Sequence, residues 1–261
     1  MKITSLQNER VKAAVKLRER KGRDASNQFL IEGYREIQRA VGAGRKLESC
    51  FYCPELFLGS NEEQLLQKSH AELIECSREV FCKISYRDRP DGLLAIAPQV
   101  HLNLEQLHLK PNPFLVIAES IEKPGNLGTI LRSADAAGVD AVIVCDPTTD
   151  IHNPNVVRSS VGTLFTLPVI EAISEETLAF LKRHKIAIVA ATPRAELEFT
   201  KADLTKSVAI AVGTEQYGLS EKWMEKADIQ VRIPMLGVAD SLNVASATTL
   251  VLYEVLRQRR A

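Results

Sequence analysis

Phe114-Leu115-Val116-Ile117-Ala118 runs directly into Glu119-Ser120-Ile121-Glu122-Lys123-Pro124-Gly125-Asn126-Leu127-Gly128-Thr129-Ile130-Leu131-Arg132. The first five residues are apolar without a break, which fits a strand covered on both faces. Pro124-Gly125-Asn126 is strong turn chemistry. Asn126 suits the N-cap of a helix running to about Ala137. Gly128 and Arg132 are four apart, so they share one helix face, and Gly128 leaves open space beside the arginine. Taken alone this is a strand, a turn and a helix start with a solvent arginine. It lacks the spacing of a P-loop or of a dinucleotide-binding glycine motif.

Four more runs of the same kind follow: Ala141–Cys145, Ile186–Ala190, Val208–Val212 and Ile229–Ile233. Helical segments separate most of them. The pattern predicts an α/β domain with a parallel sheet covered on both faces. Ligands in such sheets bind beyond the carboxyl ends of the strands, so the loops after the runs carry the interest. Val212-Gly213-Thr214-Glu215-Gln216-Tyr217-Gly218-Leu219-Ser220 places two glycines around an acidic and an aromatic residue. Gly213 lets a ligand approach the backbone closely, and Ser220 is a good N-cap for a helix around Trp223. Ile233-Pro234-Met235-Leu236-Gly237-Val238-Ala239-Asp240-Ser241-Leu242-Asn243-Val244 then leads into a helix of small and apolar residues reaching about Arg257, with Ser241 or Asn243 as its cap. Each loop by itself also reads as an ordinary junction.

The N-terminal half alternates shorter elements. A basic helix is expected over Asn8–Lys21, with strands at Phe29–Glu32, Leu47–Cys53, Leu73–Cys76 and Leu93–Ala97. Helices are expected at Tyr34–Val41, from Asn61 to Lys68, and near Arg78–Ile84. Pro98, Pro111 and Pro113 mark a change of texture. The boundary is placed near residue 105, giving a smaller α/β domain over 1–105 and the parallel-sheet domain over 106–261. Deleting the first 100 residues is expected to leave a folded C-terminal domain.

Composition is that of a globular protein: 261 residues, 45% hydrophobic and 25% charged. The N-terminus is too polar for a signal peptide, and no apolar run approaches the roughly 20 residues of a membrane span. A cytoplasmic location with no membrane partner is the expectation. Five cysteines at irregular spacing are not a disulfide framework. Cys50-x-x-Cys53 raises zinc, but positions three apart on a strand point to opposite faces, so no metal is expected and the thiols read as small buried hydrophobes. Net charge is zero. The cations are nonetheless concentrated: Arg10, Lys12, Lys16, Arg18, Arg20, Lys21 and Arg23 lie in the first helical region, a candidate phosphate-gripping stripe for RNA. A solvated helix face is the plain alternative.

Together the three loops resemble the signature motifs of the SpoU (TrmH-like) RNA 2′-O-methyltransferases of the SPOUT superfamily. Asn126, Gly128 and Arg132 match the first motif; Val212, Gly213, Glu215 and Gly218 match the second; Ile233 through Val244 match the third. Phe29-Leu30-Ile31-Glu32-Gly33 resembles a Phe-x-x-Glu-Gly pattern in the ribosomal-protein-like substrate-binding domain that many members carry. The resemblance implies a C-terminal trefoil knot and a homodimer with the last helix at or near the interface. It also implies S-adenosyl-L-methionine held by Gly213, Thr214, Ile233, Met235, Gly237 and Leu242. It implies a catalytic set of Arg132, Asn126, Glu215, Ser241 and Asn243, with Asn126 orienting Arg132 or the ribose. A free guanidinium hardly deprotonates, so Arg132 is assigned to the adjacent phosphate and the developing alkoxide rather than to a base role. The expected substrate is a ribose 2′-hydroxyl, with large-subunit rRNA preferred over tRNA. The rival readings are a catalytically inactive RNA-binding adaptor, a phosphate-binding α/β enzyme and a SPOUT enzyme acting on a base nitrogen.

Overall fold

The computed structural model describes residues 2–260. The chain divides into two compact units: Met1–Val100 with Asp150–Thr166, and His101–Thr149 with Leu167–Ala261. The boundary expected near 105 lies a few residues beyond the observed division. The excursion Asp150–Thr166, expected with the C-terminal part, packs instead with the first unit.

The first unit contains α1 (Glu9–Lys16), α2 (Arg20–Ser26), β1 (Gln28–Glu32), α3 (Tyr34–Gly42), β2 (Ser49–Tyr52), α4 (Glu62–Lys68), β3 (Glu72–Glu75), α5 (Arg78–Ile84) and β4 (Leu93–Pro98). Its sheet has the order β1-β4-β2-β3. The β4 strand runs antiparallel to both neighbours, while β2 and β3 are parallel. The α1 and α5 helices, β2 and β4 close a core around Val11, Leu30, Phe51, Val80, Phe81 and Leu94.

The single basic helix expected over Asn8–Lys21 is broken in two. Asn8 caps α1 by accepting from Arg10 N, and α1 stops at Lys16. The chain turns so tightly that a Cβ on Gly22 would lie 2.1 Å from the Lys16 carbonyl oxygen. The turn also withdraws two of the supposed phosphate ligands. Arg23 is 1% exposed. It donates to Asp150 through Nε at 2.8 Å and Nη2 at 2.5 Å, and to the Leu17 and Arg18 carbonyls. Arg18 donates to the carbonyls of Lys83 and Ser85. Removing one member of a buried pair leaves the other charge stranded at a cost of about 3–5 kcal/mol. Arg23→Ala is therefore expected to destabilise the first unit by about that amount in urea unfolding. A loss below ~1 kcal/mol would show that the pair does not hold the turn.

The second unit contains β5 (Phe114–Glu119), α6 (Pro124–Ala137) and β6 (Ala141–Cys145). The chain then makes α7 (Pro154–Ser159), part of the first unit, before returning as β7 (Val169–Ala172), α8 (Ser174–Arg183), β8 (Ala187–Ala191), β9 (Val208–Val212), α9 (Glu221–Lys226), β10 (Ile229–Val231) and α10 (Val244–Arg260). The sheet order is β10-β8-β9-β5-β6-β7, and every pairing is parallel. All five apolar runs became strands of this sheet. The sixth strand, β7, was not read from the sequence because it is a four-residue edge strand carrying the polar Glu171. Register matters for the site. Ala118 stands opposite Val212, Ala190 opposite Ala211, and Val231 opposite Ala191. The carboxyl ends of β5, β9, β8 and β10 therefore finish nearly level, on one edge.

Four of the five cysteines behave as the apolar residues expected, and Cys82 is exposed instead. Cys50, Cys53, Cys76 and Cys145 are buried and free. Burial pushes the Cys76 and Cys145 thiols up to about 12 and the Cys50 thiol up to about 11. Cys53 and Cys76 belong to the first unit's core, and the Cys50 thiol faces the Ser69 hydroxyl.

Candidate active site

The loop after β9 closes on itself. Thr214 N donates to Gly218 O at 3.0 Å, Gly218 N returns a bond to Thr214 O at 3.0 Å, and Tyr217 N donates to Thr214 Oγ1. Its two glycines have separate tasks. Gly218 sits at φ +73°, in the left-handed region. A Cβ on Gly213 would fall 2.1 Å from Gly218 O and 2.5 Å from Leu219 N. Gly213 is thus required by the loop's own backbone, a cause different from the ligand crowding expected. Beneath the loop, Glu119 at the end of β5 is 5% exposed and accepts from Ser220 N at 2.8 Å, fixing the start of α9. Ser220 occupies the N-cap position of α9 without a side-chain cap.

A cleft of about 280 Å³ opens behind this loop. Gly213, Thr214, Glu215, Ile233, Met235, Ser241 and Leu242 all line it, together with Ala191–Arg194, which the sequence reading did not single out. Gly237 does not line it. A Cβ there meets nothing within 4 Å, and its neighbours Leu236 and Val238 project fully into solvent at 99% and 105% exposure. Its expected place against the cofactor is not supported by this geometry.

Beside the cleft the three loops are joined through one carboxylate. Glu215 accepts from the Asn126 side-chain amide and from Lys123. Asn243 Nδ2 donates to Glu215 Oε1 at 2.9 Å and to Asn126 Oδ1 at 3.2 Å. Asn243 Oδ1 also accepts from Ala245 N at 3.0 Å, so this residue caps α10 while it ties the third loop to the other two. Asn126 is not the cap of α6. Pro124 takes the first helical position behind Lys123, as its fixed φ and missing N–H favour. Asn126 falls inside the first turn, its amide engaged with Glu215 rather than Arg132. Arg132 is exposed on α6 and has no side-chain partner among the described residues. On the next residue, Ser133 Oγ meets Thr249 Oγ1 of α10 at 2.7 Å.

Lys123 was missed by the sequence reading. Its partner Glu215 lies 92 residues further on, and no local pattern marked the pairing. Its ammonium holds the Glu215 carboxyl below the usual 4.5, with the Asn126 amide acting in the same direction. A carboxylate with a depressed pKa contributes its stabilisation above its ordinary pKa, and the contribution is lost as pH falls through the lower folded value. Lys123→Met is therefore expected to move protonation of Glu215 upward in pH. Carbon-13 titration of the Glu215 carboxyl reads this, and an unchanged midpoint would remove Lys123 as the cause.

A sequence model of the SpoU rRNA Methylase family matches residues 113–253, and one of the MRM3-like substrate binding domain matches residues 8–95. The chain belongs to the SpoU family. The 23S rRNA (uridine(2479)-2′-O)-methyltransferase of Streptomyces viridochromogenes is 30% identical, covering 92% of this chain and 86% of its own. A crystal structure of an RNA 2′-O ribose methyltransferase superposes with a TM-score of 0.90 at 46% identity, covering 100% of both chains. An AdoMet-bound rRNA methyltransferase from Sinorhizobium meliloti superposes with a TM-score of 0.90 at 31% identity, covering 98% of this chain and 97% of its own. SpoU membership accords with the motif match. The MRM3-like domain identifies the N-terminal part, which the Phe29–Gly33 segment alone indicated only loosely.

Among the remaining stripe residues, Arg10 pairs with Glu72, Lys12 with Glu9, and Arg20 with Asp24 at 3.6 Å. Lys16 and Lys21 are exposed. Four of the seven cations, Arg10, Lys12, Arg20 and Arg23, thus face carboxylates, while Arg18 is held by backbone carbonyls. No helix among the described residues is long and apolar enough to cross a membrane.

Proposed function

We propose that this SpoU protein transfers the methyl group of S-adenosylmethionine to a ribose 2′-hydroxyl of ribosomal RNA in the cytoplasm, with the large-subunit RNA as the substrate. The observation that carries the reading is the joining of Asn126, Glu215 and Asn243 beside the cleft of the Thr214–Gly218 loop. The names of the relatives support the substrate class.

The cleft fits the donor. Its walls offer Ile233, Leu242, Val244 and Ala247 to an apolar body, and Thr192, Asp240 and Ser241 to polar ends. Backbone at Gly213 and Thr214 supplies the remaining edge. S-adenosylmethionine brings an activated methyl on a sulfonium, so the protein's share is alignment and charge stabilisation. Arg132 projects free from α6 and is assigned to the RNA phosphate beside the target ribose and to the developing alkoxide. Glu215 and Asn243 hold the loops that frame the cleft, and Ser241 completes its polar rim. The deep trefoil knot is part of this proposal, as is a homodimer using α10. Leu250 and Tyr253 on that helix are 44% and 48% exposed and would be covered there.

Mapping 2′-O-methylation across total rRNA and tRNA, from cells with and without the protein, tests the reading. One rRNA position losing its methyl group supports it. Loss confined to tRNA would redirect it, and an unchanged map would refute it.

A further inference from the structure

A cleft of about 550 Å³ is lined by residues of the first unit alone. Small-ligand sites run from about 300 to 1,000 Å³, so this one has room for a nucleotide. Its lining includes Tyr34, Arg35, Glu62, Arg87, Asp91 and Arg158. One wall is unusual. Val161 is β-branched yet sits at φ +52°, a conformation such residues adopt only when their surroundings hold them there. Arg39 donates to its carbonyl, and a Cβ on the next residue, Gly162, would lie 3.1 Å from Glu36 Cα. The Asp150–Thr166 excursion is thus pressed onto α3, which brings Arg158 into the same cleft as Arg35.

The charges differ from those of the first helices. Arg35 and Arg158 are exposed and have no side-chain partner among the described residues, whereas most cations of α1 and α2 face carboxylates. Deeper in, Arg87 donates to Glu36 Oε1 at 2.6 Å and to Glu32 O. Glu62 Oε2, Arg87 Nε and Asp91 Oδ1 each lack a partner although buried, and buried polar atoms are seldom left so. The cleft therefore has free cations at its mouth, an aromatic ring at its side, and mixed donors and acceptors within.

We propose that this cleft takes an unstacked nucleotide of single-stranded RNA, with the flanking phosphates on Arg35 and Arg158 and the base beside Tyr34. Single-stranded recognition has this chemistry: a cationic grip on the backbone, an aromatic platform for the base, and polar groups for its edge. The proposal rests on RNA being the substrate, and it moves the grip in this unit from α1 and α2 to the cleft.

The test uses the full chain and a short fluorescein-labelled single-stranded RNA of mixed sequence, read by anisotropy across a salt series. Each phosphate contact with a single strand contributes about 0.7 to the salt slope. Arg35→Ala with Arg158→Ala is expected to lower the slope by about 1.4 without changing the melting temperature, and the double lysine variant to restore it. Wild-type binding with an unchanged slope in the alanine variant would overturn the cleft alone. So would a slope that falls only in Lys16→Ala with Lys21→Ala, or one that falls equally for the annealed duplex. A wild-type chain that binds no RNA overturns both the cleft and the substrate reading.

Discussion

Arg132→Ala is expected to reduce methyl transfer by a factor of about 10²–10³, the usual effect of removing one preorganised donor from a developing oxyanion. S-adenosylmethionine binding, measured by calorimetry, should stay at the wild-type level. The separation follows from placement. Arg132 does not line the cleft, and its guanidinium holds up no part of the fold. Loss of rate with retained binding marks an interaction made in the transition state rather than in the ground state. Arg132→Lys should recover little, because an ammonium cannot reproduce the planar fork that grips a phosphate. Near-normal turnover in the alanine variant would take Arg132 out of the mechanism.

The second large effect is structural and acts on the cleft itself. The Cβ of Gly213→Ala has nowhere to go: its nearest neighbours, at 2.1, 2.3 and 2.5 Å, are all backbone atoms of Gly218 and Leu219. A flexible side chain could swing away, but a hydrogen-bonded turn can only open. Overpacking of this kind costs about 1–3 kcal/mol and more where relaxation is blocked. The variant should melt at a lower temperature and lose cofactor binding. Gly125→Ala is the matched control, since a Cβ there meets nothing within 4 Å. It should be neutral, or gain up to about 1 kcal/mol from better helix propensity. Equal behaviour of the two variants would mean that the loop after β9 is not held by the contacts described.

These contrasts show where sequence was informative. Continuous apolar runs such as Ala141–Cys145 and Val208–Val212 could be located to the residue, because a strand buried on both faces admits no polar residue. The three loops were legible through motif spacing, and the strand ends carried them to one edge of the sheet. What escaped depended on distant partners. A basic residue looks the same in a sequence whether it faces water or a buried carboxylate. Arg23 meets Asp150, 127 positions away, and no local pattern announces that. Lys123 and Asn126 are similar cases: the capping rule put the start of α6 at Asn126, three residues past the observed cap at Lys123, and Glu215, 92 and 89 residues further on, decides what their side chains do. Val156, Val157, Leu164 and Phe165 read as apolar without saying which core they belong to.

That last segment has a consequence for how the protein can be taken apart. The backbone passes between the two units three times, after Val100, after Thr149 and after Thr166. A single cut in the gene at residue 100 would yield an N-terminal piece lacking its Arg23 counter-ion. The C-terminal piece would carry Ile151, Val156, Val157 and Phe165 stripped of their cover, a greasy flap prone to aggregate. The truncation that a simple two-bead layout invites would thus fail for reasons unrelated to RNA. A usable catalytic fragment would need the flap replaced by a short polar bridge, and any exchange of recognition modules between relatives would have to move two stretches of chain together.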